Sequence, residues 1–584
     1  MNRNASRKSI DNHDILFHIF TAFYRTGWEY THGPFETNYM RGLHPLAAVC
    51  RTWRAAAKEY FLLKQLVLEI TKPPRRGRHA SYFHELFSGP GVVQRNMEAY
   101  GHIKTMDSLF IYHTNAYLIP YANNRVSTIY IYLGNNVTTN DLLTGLEQIR
   151  FEKFRWPEVT ALHVVTDRMY VPGVANTDAI REPLYHKLNS IGVAVDWIFR
   201  AAPRINSVRL GSRAQLPYPM QIPLQASIMD NIGQLERLEL SNQFCSFTIP
   251  PLFPPLTVLS ISPVHHSLGF VLAKIPTHCL KKLRLYQITP THFFQAIGIQ
   301  GPGAVAEFPE LLHLDLQFTA ISSSDADNDE WFNNEQCGFL QFPRLLTVSV
   351  HDYYYNIAGI FNCFLQSPVH TLYLSTHPWV YLNAGVHRLT QLQRLWLTFD
   401  VRLGRNLPND FFQPLLQMPR NAMTELTFYS SQNVISSQLT EVCLRGLRTL
   451  DVDIKLGYMQ VIGLIQQLPK LISLRFILDI TSVDRAEPVL NLYRRSLPVC
   501  SHSVQHMVVV FNPIVTELGN EPASLAVLDN LLVLVAHMPG LCRLRTCFTV
   551  ALFKAHLKQA MHVQQFAAKA RHLLQLKYTS RREC

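Results

Sequence analysis

Short segments of the form apolar-x-x-apolar-x-apolar recur along most of this 584-residue chain. The last two apolar residues of each segment are two positions apart, so they point to the same side of a β-strand. The residues between them and after them, often polar, point to the other side. Six copies begin with an apolar residue and a proline: WPEVTALHV, APRINSVRL, FPPLTVLSI, FPELLHLDL, FPRLLTVSV and LPKLISLRF. Each copy predicts one short strand with a buried and an exposed side.

The spacing of these segments indicates a repeat. Copies begin at positions 235, 256 and 280, at 369 and 392, and at 423, 447 and 471, so neighbours lie 21 to 24 residues apart. Apolar residues between the strands follow helical spacing, as in 357–365 before Pro368 and in 461–468 before Pro469. No single unit can bury its apolar side, so the units are expected to stack into a parallel sheet backed by helices. An ordinary doubly wound domain is the alternative.

The repeats resemble the leucine-rich-repeat family, in irregular copies over residues 101–550. That resemblance implies a solenoid that binds a partner protein on the concave face of its sheet. The residues that flank the inward apolar positions are the candidates for this contact. The predicted substrate-binding residues are Arg284, Tyr286, Asp315, Tyr373, Arg394, Trp396 and Tyr429. Trp396 leads this set because tryptophan beside arginine is typical of binding hot spots.

The same alternation extends the row to Glu425, Asp451 and Asp453. Its charge is predicted to change sign, from cationic near Arg284 to anionic near Asp451. A surface of mixed sign favours a folded protein or a mixed-charge peptide over a polyanion.

Two helical stripes precede the first strand. HDILFHIFTAF places Ile15, Leu16, Ile19 and Phe20 on one side of a helix. VCRTWRAAAKEYFLLKQLVL, from Val49 to Leu68, continues a second stripe through Trp53 into alternating leucines. The order of these motifs over residues 11–68 resembles an F-box.

The F-box resemblance implies binding to the Skp-type adaptor of a cullin-RING ubiquitin ligase. The implied adaptor-binding residues are Ile15, Leu16, Ile19, Phe20, Leu46 and Val49. The chain would then be the substrate-recognition subunit of an SCF-type ligase, holding an unknown substrate protein and performing no catalysis itself. A helical cap that only seals the solenoid is the alternative, and it leaves a repeat scaffold with no ligase link.

The net charge of +12 is concentrated in three places: the first nine residues, the segment 72–78 and the segment 551–584. A nucleic-acid groove would instead spread positive charge along the body of the protein, so neither nucleic acid nor a membrane is the expected partner. The ten cysteines include no Cys-x-x-Cys pair. Scattered thiols of this kind are typical of cytoplasmic or nuclear proteins.

Catalytic, metal and cofactor sites are not expected, because no phosphate-binding loop, His-Glu-x-x-His or Gly-x-Ser-x-Gly motif occurs. The segment 551–578 contains no acidic residue and predicts one long amphipathic helix with Leu552, His556 and Ala560 on its apolar side. This helix is expected to cap the solenoid, with a basic partner-binding tail as the alternative.

The sequence therefore predicts an α/β fold in four parts. They are a small all-helical F-box-like domain over 1–70, a basic linker over 71–100, the leucine-rich-repeat solenoid over 101–550, and a basic C-terminal capping helix over 551–584.

Overall fold

The computed structural model describes 19 stretches of the chain and seven single residues. The stretches are 66–70, 106–112, 126–133, 159–166, 198–212, 232–240, 255–261, 277–288, 305–318, 340–352, 358–399, 413–418, 423–430, 434–435, 445–478, 503–511, 522–546, 548–562 and 570–580. The single residues are Leu16, Trp53, Pro157, Ile275, Phe293, Ile297 and Ala567. The chain divides into two compact units, Met1–Pro276 and Thr277–Cys584.

The first unit contains a parallel sheet in its described residues. Its strands are β1 Leu66–Ile70, β2 Met106–Tyr112, β3 Val126–Leu133, β4 Ala161–Thr166, β5 Ser207–Ser212, β6 Arg237–Leu240 and β7 Val258–Ile261. Strands β3 to β7 follow one another in chain order, and β1 and β2 both pair with β3 and with each other. Leu16 and Trp53 are both helical; Leu16 is buried and Trp53 is half-buried. The rest of the predicted F-box-like helices lies outside the described residues.

The second unit contains a longer parallel sheet. Its strands are β8 Lys282–Ile288, β9 Ala306–Glu307, β10 His313–Phe318, β11 Leu340–Gln341, β12 Thr347–Asp352, β13 Thr371–Thr376, β14 Arg394–Phe399, β15 Glu425–Ser430, β16 Val434–Ile435, β17 Thr449–Leu456, β18 Ser473–Leu478, β19 His506–Phe511, β20 Arg543–Thr546 and β21 Lys577–Ser580. The main sheet runs β8-β10-β12-β13-β14-β15-β17-β18-β19-β20-β21, with β16 also paired to β17. The short strands β9 and β11 pair separately. All these pairs are parallel, which agrees with the solenoid-like repeat expected from the sequence.

Few helices accompany this sheet in the described residues. The α-helices are α1 Pro378–Asn383, α2 Gln413–Leu416, α3 Tyr458–Gln467, α4 Pro522–Ala536 and α5 Val550–Ala560. Short 3-10 helices cover Ala358–Phe364, Val386–Arg388 and Arg571–Gln575 in this unit, and Ile232–Gln234 in the first unit. No helix in the described part of the chain is long and apolar enough to cross a bilayer.

Alternating burial is clearest in β14, where Leu395 and Leu397 are fully buried and Trp396 between them is 37% exposed. The inward leucines of neighbouring strands are in register, so they form continuous apolar rows. Burying one leucine side chain stabilises the fold by about 1.5–3 kcal/mol. The inward rows therefore hold the repeats together.

The proline that precedes several strands forms a tight turn. The Leu311 N–H donates to the Phe308 carbonyl across Pro309, and Leu345 donates to Phe342 in the same way, each at 3.3 Å. Proline favours the second position of such a turn because its φ angle is already fixed near the required value. The apolar residues on both sides of each proline are buried. The motif apolar-Pro-x-apolar is thus a β-turn that anchors the start of the next strand.

Of the two predicted interstrand helices, one is an α-helix and the other is a 3-10 helix. Residues 461–468 belong to α3 and its C-terminal cap, and their apolar positions are buried as expected. Residues 358–364 form a 3-10 helix where the spacing predicted an α-helix. The apolar side was still chosen correctly, since Ile360, Phe361 and Phe364 are buried. A 3-10 helix is typical of a short connection, and here the turn at Ser367 follows within a few residues.

The predicted long C-terminal helix was wrong. Helix α5 ends at Ala560, and Lys577–Ser580 is instead the strand β21, paired in parallel with β20. The Tyr578 ring stacks on Phe553 with ring centroids 4.1 Å apart, and its hydroxyl donates to the Phe548 carbonyl at 2.8 Å. These contacts require an extended backbone at Tyr578, and they override the helical spacing of the sequence. The buried residues of α5 are Phe553 and Leu557, one position away from the expected apolar line.

Candidate outward-face binding site

The outward face of the second unit's sheet is defined here as the side chains that alternate with the buried rows on β8, β10, β12–β15 and β17–β21. Strand register places these side chains in cross-strand rows. One row runs through Arg284, Asp315, Ser349, Tyr373 and Trp396 in five successive strands. It then continues through Thr427, Asp451, Arg475, Val508 and Arg545. The predicted substrate-binding residues therefore lie on one continuous surface.

The first cluster on this face centres on Asp315. Its Oδ2 atom is 3.5 Å from Arg284 Nε and accepts a hydrogen bond from the Tyr286 hydroxyl at 3.3 Å. Its Oδ1 atom is buried and has no hydrogen-bond partner among the described residues. Nearby on β12, Ser349 Oγ and His351 Nε2 are 3.0 Å apart. Burial lowers the pKa of His351, although the negative charge of Asp315 opposes this shift.

The second cluster holds Trp396 in a fixed orientation. The Tyr373 ring meets the Trp396 ring edge-to-face, with centroids 4.6 Å apart. The indole Nε1–H donates to Glu425 Oε1 at 3.0 Å, and Glu425 Oε2 is 3.6 Å from Arg394 Nε. Neighbours on both adjacent strands therefore position an indole that is still 37% exposed. A large aromatic side chain fixed before binding loses little conformational entropy when a partner covers it.

The third cluster is a network of charged groups around Arg475. Its guanidinium Nη1 atom lies 2.7 Å from Asp451 Oδ1 and 2.7 Å from Asp453 Oδ1. The Tyr429 hydroxyl donates to Asp451 Oδ2 at 2.7 Å, and the guanidinium carbon lies 5.1 Å from the centre of the Tyr429 ring. Burial, followed by the hydrogen bond to Asp451, raises the pKa of Tyr429, so the phenol stays protonated. One guanidinium and two carboxylates give this cluster a formal net charge of −1.

Each residue predicted for substrate binding lies in one of the three clusters. Arg284, Tyr286 and Asp315 belong to the first cluster, Tyr373, Arg394 and Trp396 to the second, and Tyr429 to the third. Whether a substrate binds there stays a prediction. Of the predicted adaptor-binding residues, only Leu16 is described, and it is buried. Ile15, Ile19, Phe20, Leu46 and Val49 lie outside the described residues.

Sequence reasoning missed Arg475, although the alternation rule selects it between Leu474 and Phe476. This omission affected the expected charge of the surface. The face was predicted to become anionic near Asp451, and Arg475, which lies 2.7 Å from both Asp451 and Asp453, compensates one of their two negative charges. At the other end, Asp315 compensates Arg284. Pairing therefore removes the expected cationic charge at Arg284 and reduces the expected anionic charge near Asp451 to −1.

These clusters contain groups that can contact a partner molecule. They offer aromatic ring faces and guanidinium groups that are ion-paired with carboxylates. The remaining lone pairs of these carboxylates can accept hydrogen bonds from a partner. Among the described residues, no group of three or more His, Cys, Asp or Glu side chains is arranged to hold a metal ion.

Comparison with known proteins adds little to this description. No protein-family model and no curated protein matches the chain. Among solved structures, a crystal structure of the Rad7 and Elc1 complex in yeast contains a similar chain, with a TM-score of 0.27 and 10% identity. The alignment covers 93% of this chain and 90% of that chain. A likeness at this TM-score carries no argument about function, so the proposals below are based on the sequence and on the outward face.

Proposed function

We propose that this protein is a non-catalytic substrate-recognition subunit of an SCF-type cullin-RING ubiquitin ligase. In this proposal the outward face of the second unit binds a substrate protein, and the N-terminal helices bind a Skp-type adaptor. The observation that carries the binding role is Trp396, exposed and yet fixed by Tyr373 and Glu425. The ligase role is supported by the F-box resemblance of residues 11–68.

The two roles need no reactive group in this chain. A bound substrate lysine would meet the ligase's charged ubiquitin carrier at high local concentration, and proximity alone supplies a large part of such an acceleration. Most polar groups of the three clusters are engaged in pairs with one another, which suits a surface that recognises a folded partner.

A repeat scaffold without a ligase link is the second candidate. The outward face favours it equally, because a partner-binding surface functions with or without an adaptor. Adaptor binding by the N-terminal residues therefore separates the two candidates.

The test is capture of a purified Skp-type adaptor by the full-length chain. The variant Ile19→Asp/Phe20→Asp places two charges on the apolar stripe of the helix predicted over residues 13–23, and burying unpaired charge costs several kcal/mol. We expect this variant to lose adaptor capture. The matched control, His18→Asp/Thr21→Asp, adds two charges off the stripe of the same helix and is expected to retain it. Failure of the wild-type chain to capture any adaptor would leave only the scaffold function.

A further inference from the structure

The last strands of the sheet carry a cluster of basic side chains on the outward face. Arg543 and Arg545 on β20 are exposed, while Leu544 and Thr546 between and after them are buried. Register places Lys577 of β21 opposite Arg543 on one side and His506 of β19 opposite it on the other. Lys577 is exposed and His506 is half-buried. These four residues are called the basic end.

The basic end differs from the rest of the outward face in its charge balance. Arg284, Arg394 and Arg475 each lie within 4 Å of a carboxylate on a neighbouring strand. Among the described residues, no carboxylate makes an ion pair with Arg543, Arg545 or Lys577. The nearest acidic cluster, at Asp451, is three strands away from Arg545 and is occupied by Arg475, with Val508 between the two arginines in the same row.

We propose that the basic end binds an extended acidic segment of the substrate protein. This inference rests on the proposed function, because it specifies the chemistry of the partner. Arg543 and Arg545 point the same way two residues apart, which is about 7 Å. Carboxylates at alternate positions of an extended peptide have the same spacing, so a segment lying along β20 brings one carboxylate to each arginine. Lys577, one strand away at about 4.8 Å, lies beside the first of these carboxylates.

The position of the basic end favours a peptide segment of a larger protein. Five strand-to-strand steps separate β14 from β20, about 24 Å along the sheet. A folded partner that covers Trp396 is wide enough to reach the basic end with a neighbouring loop or tail. Nucleic acid is the less suitable occupant, because Arg543, Arg545 and Lys577 lie on only two strands. The positively charged track of a polyanion-binding protein follows the ligand backbone much further.

The test measures binding of two fluorescein-labelled octapeptides to the full-length protein by fluorescence anisotropy. One peptide alternates Glu and Thr, and the other has the same composition with its four Glu residues in one block. The variant Arg543→Glu/Arg545→Glu reverses two charges of the basic end, and Arg543→Gln/Arg545→Gln only removes them. The matched control, Lys554→Glu/Lys558→Glu, makes the same change of net charge on exposed positions of α5.

We expect the alternating peptide to bind more tightly than the block peptide. Its affinity should fall about tenfold or more in the Glu variant, fall less in the Gln variant, and stay within about twofold in the control. Raised salt should weaken this binding. Equal losses in the control, no preference for alternation, or no peptide binding by the wild type would each overturn the inference.

Two further measurements on the same samples separate the possible failures. A single-stranded oligonucleotide of matched charge that binds more tightly than the peptide, with the same loss in the Glu variant, would assign the basic end to nucleic acid. Adaptor capture is measured in parallel. If capture persists without peptide binding, only this inference fails; if peptide binding persists without capture, only the ligase role fails.

Discussion

The orientation of the Trp396 side chain is determined by residues on the two neighbouring strands. Its exposed side follows from the burial of Leu395 and Leu397, which the sequence pattern predicts. Its orientation depends on Tyr373, 23 positions earlier, and on Glu425, 29 positions later. Those contacts depend on strand register, which alternation within one strand does not determine. The exposure of Trp396 on the outward side of β14 was therefore predictable from the sequence, but its contacts with Tyr373 and Glu425 were not.

Replacing Trp396 with alanine is expected to weaken substrate binding by about thirtyfold or more, because it removes the central aromatic contact of the face. Adaptor capture should be unchanged. Proximity labelling compares the partners of wild type and variant. The affinity of the wild type and of the variant is then measured for each partner that the variant no longer labels. Leu574→Ala, which shortens a side chain that is 67% exposed outside the sheet, is the control. Identical partner lists for wild type and Trp396→Ala would place recognition elsewhere.

Arg475 and Arg394 provide a matched comparison of ion pairs. The Arg475 side chain is 19% exposed and contacts two carboxylates, whereas that of Arg394 is 55% exposed and contacts one at 3.6 Å. Arg475→Ala leaves Asp451 and Asp453 without their shared cation, so it should lower the free energy of unfolding by about 1–3 kcal/mol. Arg394→Ala should cost no more than about 1 kcal/mol. Urea unfolding of both variants checks this order, and equal effects would contradict it.

His351 makes the stability of the second unit depend on pH. Burial lowers the pKa of His351 in the folded protein from the ordinary value of 6.5. As the pH falls below about 6.5, the unfolded chain binds a proton that the folded chain does not, so the free energy of unfolding decreases. The slope from this one group is at most about 1.4 kcal/mol per pH unit. Urea unfolding at several pH values should show a smaller slope for His351→Gln than for wild type, and equal slopes would assign the pH dependence to other groups.

At the scale of elements, the turns and strands followed the sequence more closely than the helices did. The segment 461–468 has enough apolar residues at helical spacing to form part of α3. The segment 358–364 buries the expected side chains but forms a 3-10 helix. The C-terminal segment shows the limit of periodicity. Its helical spacing was real up to Ala560, but it could not reveal that the half-buried Tyr578 ring would stack on Phe553. A contact between residues 25 positions apart decides that strand.

Tyr578 is expected to fasten β21 and α5 to each other. Tyr578→Ala removes both the ring stack and the hydrogen bond to Phe548, so protection of this region should fall by about 2–3 kcal/mol. Tyr578→Phe keeps the ring and removes only the hydroxyl, at a cost of about 1 kcal/mol. Amide hydrogen exchange across 549–580 measures both effects. Equal effects of the two variants would assign the stabilisation to the hydroxyl group.

At the scale of the whole molecule, the repeat architecture was predictable because the same sequence motif occurs many times. Each copy of the apolar pattern specifies one strand, and many weak signals with one spacing agree on a parallel sheet. The first helices occur once, and their identification depends on a resemblance over residues 11–68. Partner chemistry is the least predictable level, because it depends on how outward side chains from distant repeats compensate one another, as Arg475 does for Asp451 and Asp453.

If the proposed function holds, adaptor binding and substrate binding belong to separate parts of the chain. The variant Ile19→Asp/Phe20→Asp should therefore still bind the substrate but no longer promote its ubiquitylation. We expect the substrate's half-life in cells to lengthen several-fold, because the proximity of substrate and ubiquitin carrier is lost. A cycloheximide chase compares this variant with His18→Asp/Thr21→Asp, which should behave like wild type. An unchanged half-life in both variants would contradict a degradative role.

The strict alternation of β14 has a consequence for how recognition evolves. An outward residue such as Trp396 or Arg394 can be exchanged while Leu395 and Leu397 continue to fill the core. Mutations at such exposed outward positions thus change the partner at little cost in folding, whereas Arg475 is constrained by its two ion pairs. Gene duplication followed by drift at the exposed positions would generate receptors of new specificity on an unchanged fold. Insertions between strands keep the alternation intact, whereas a single inserted residue within a strand would turn its leucines to solvent. Natural variation should therefore accumulate at outward positions and between strands, and length changes within strands should be rare.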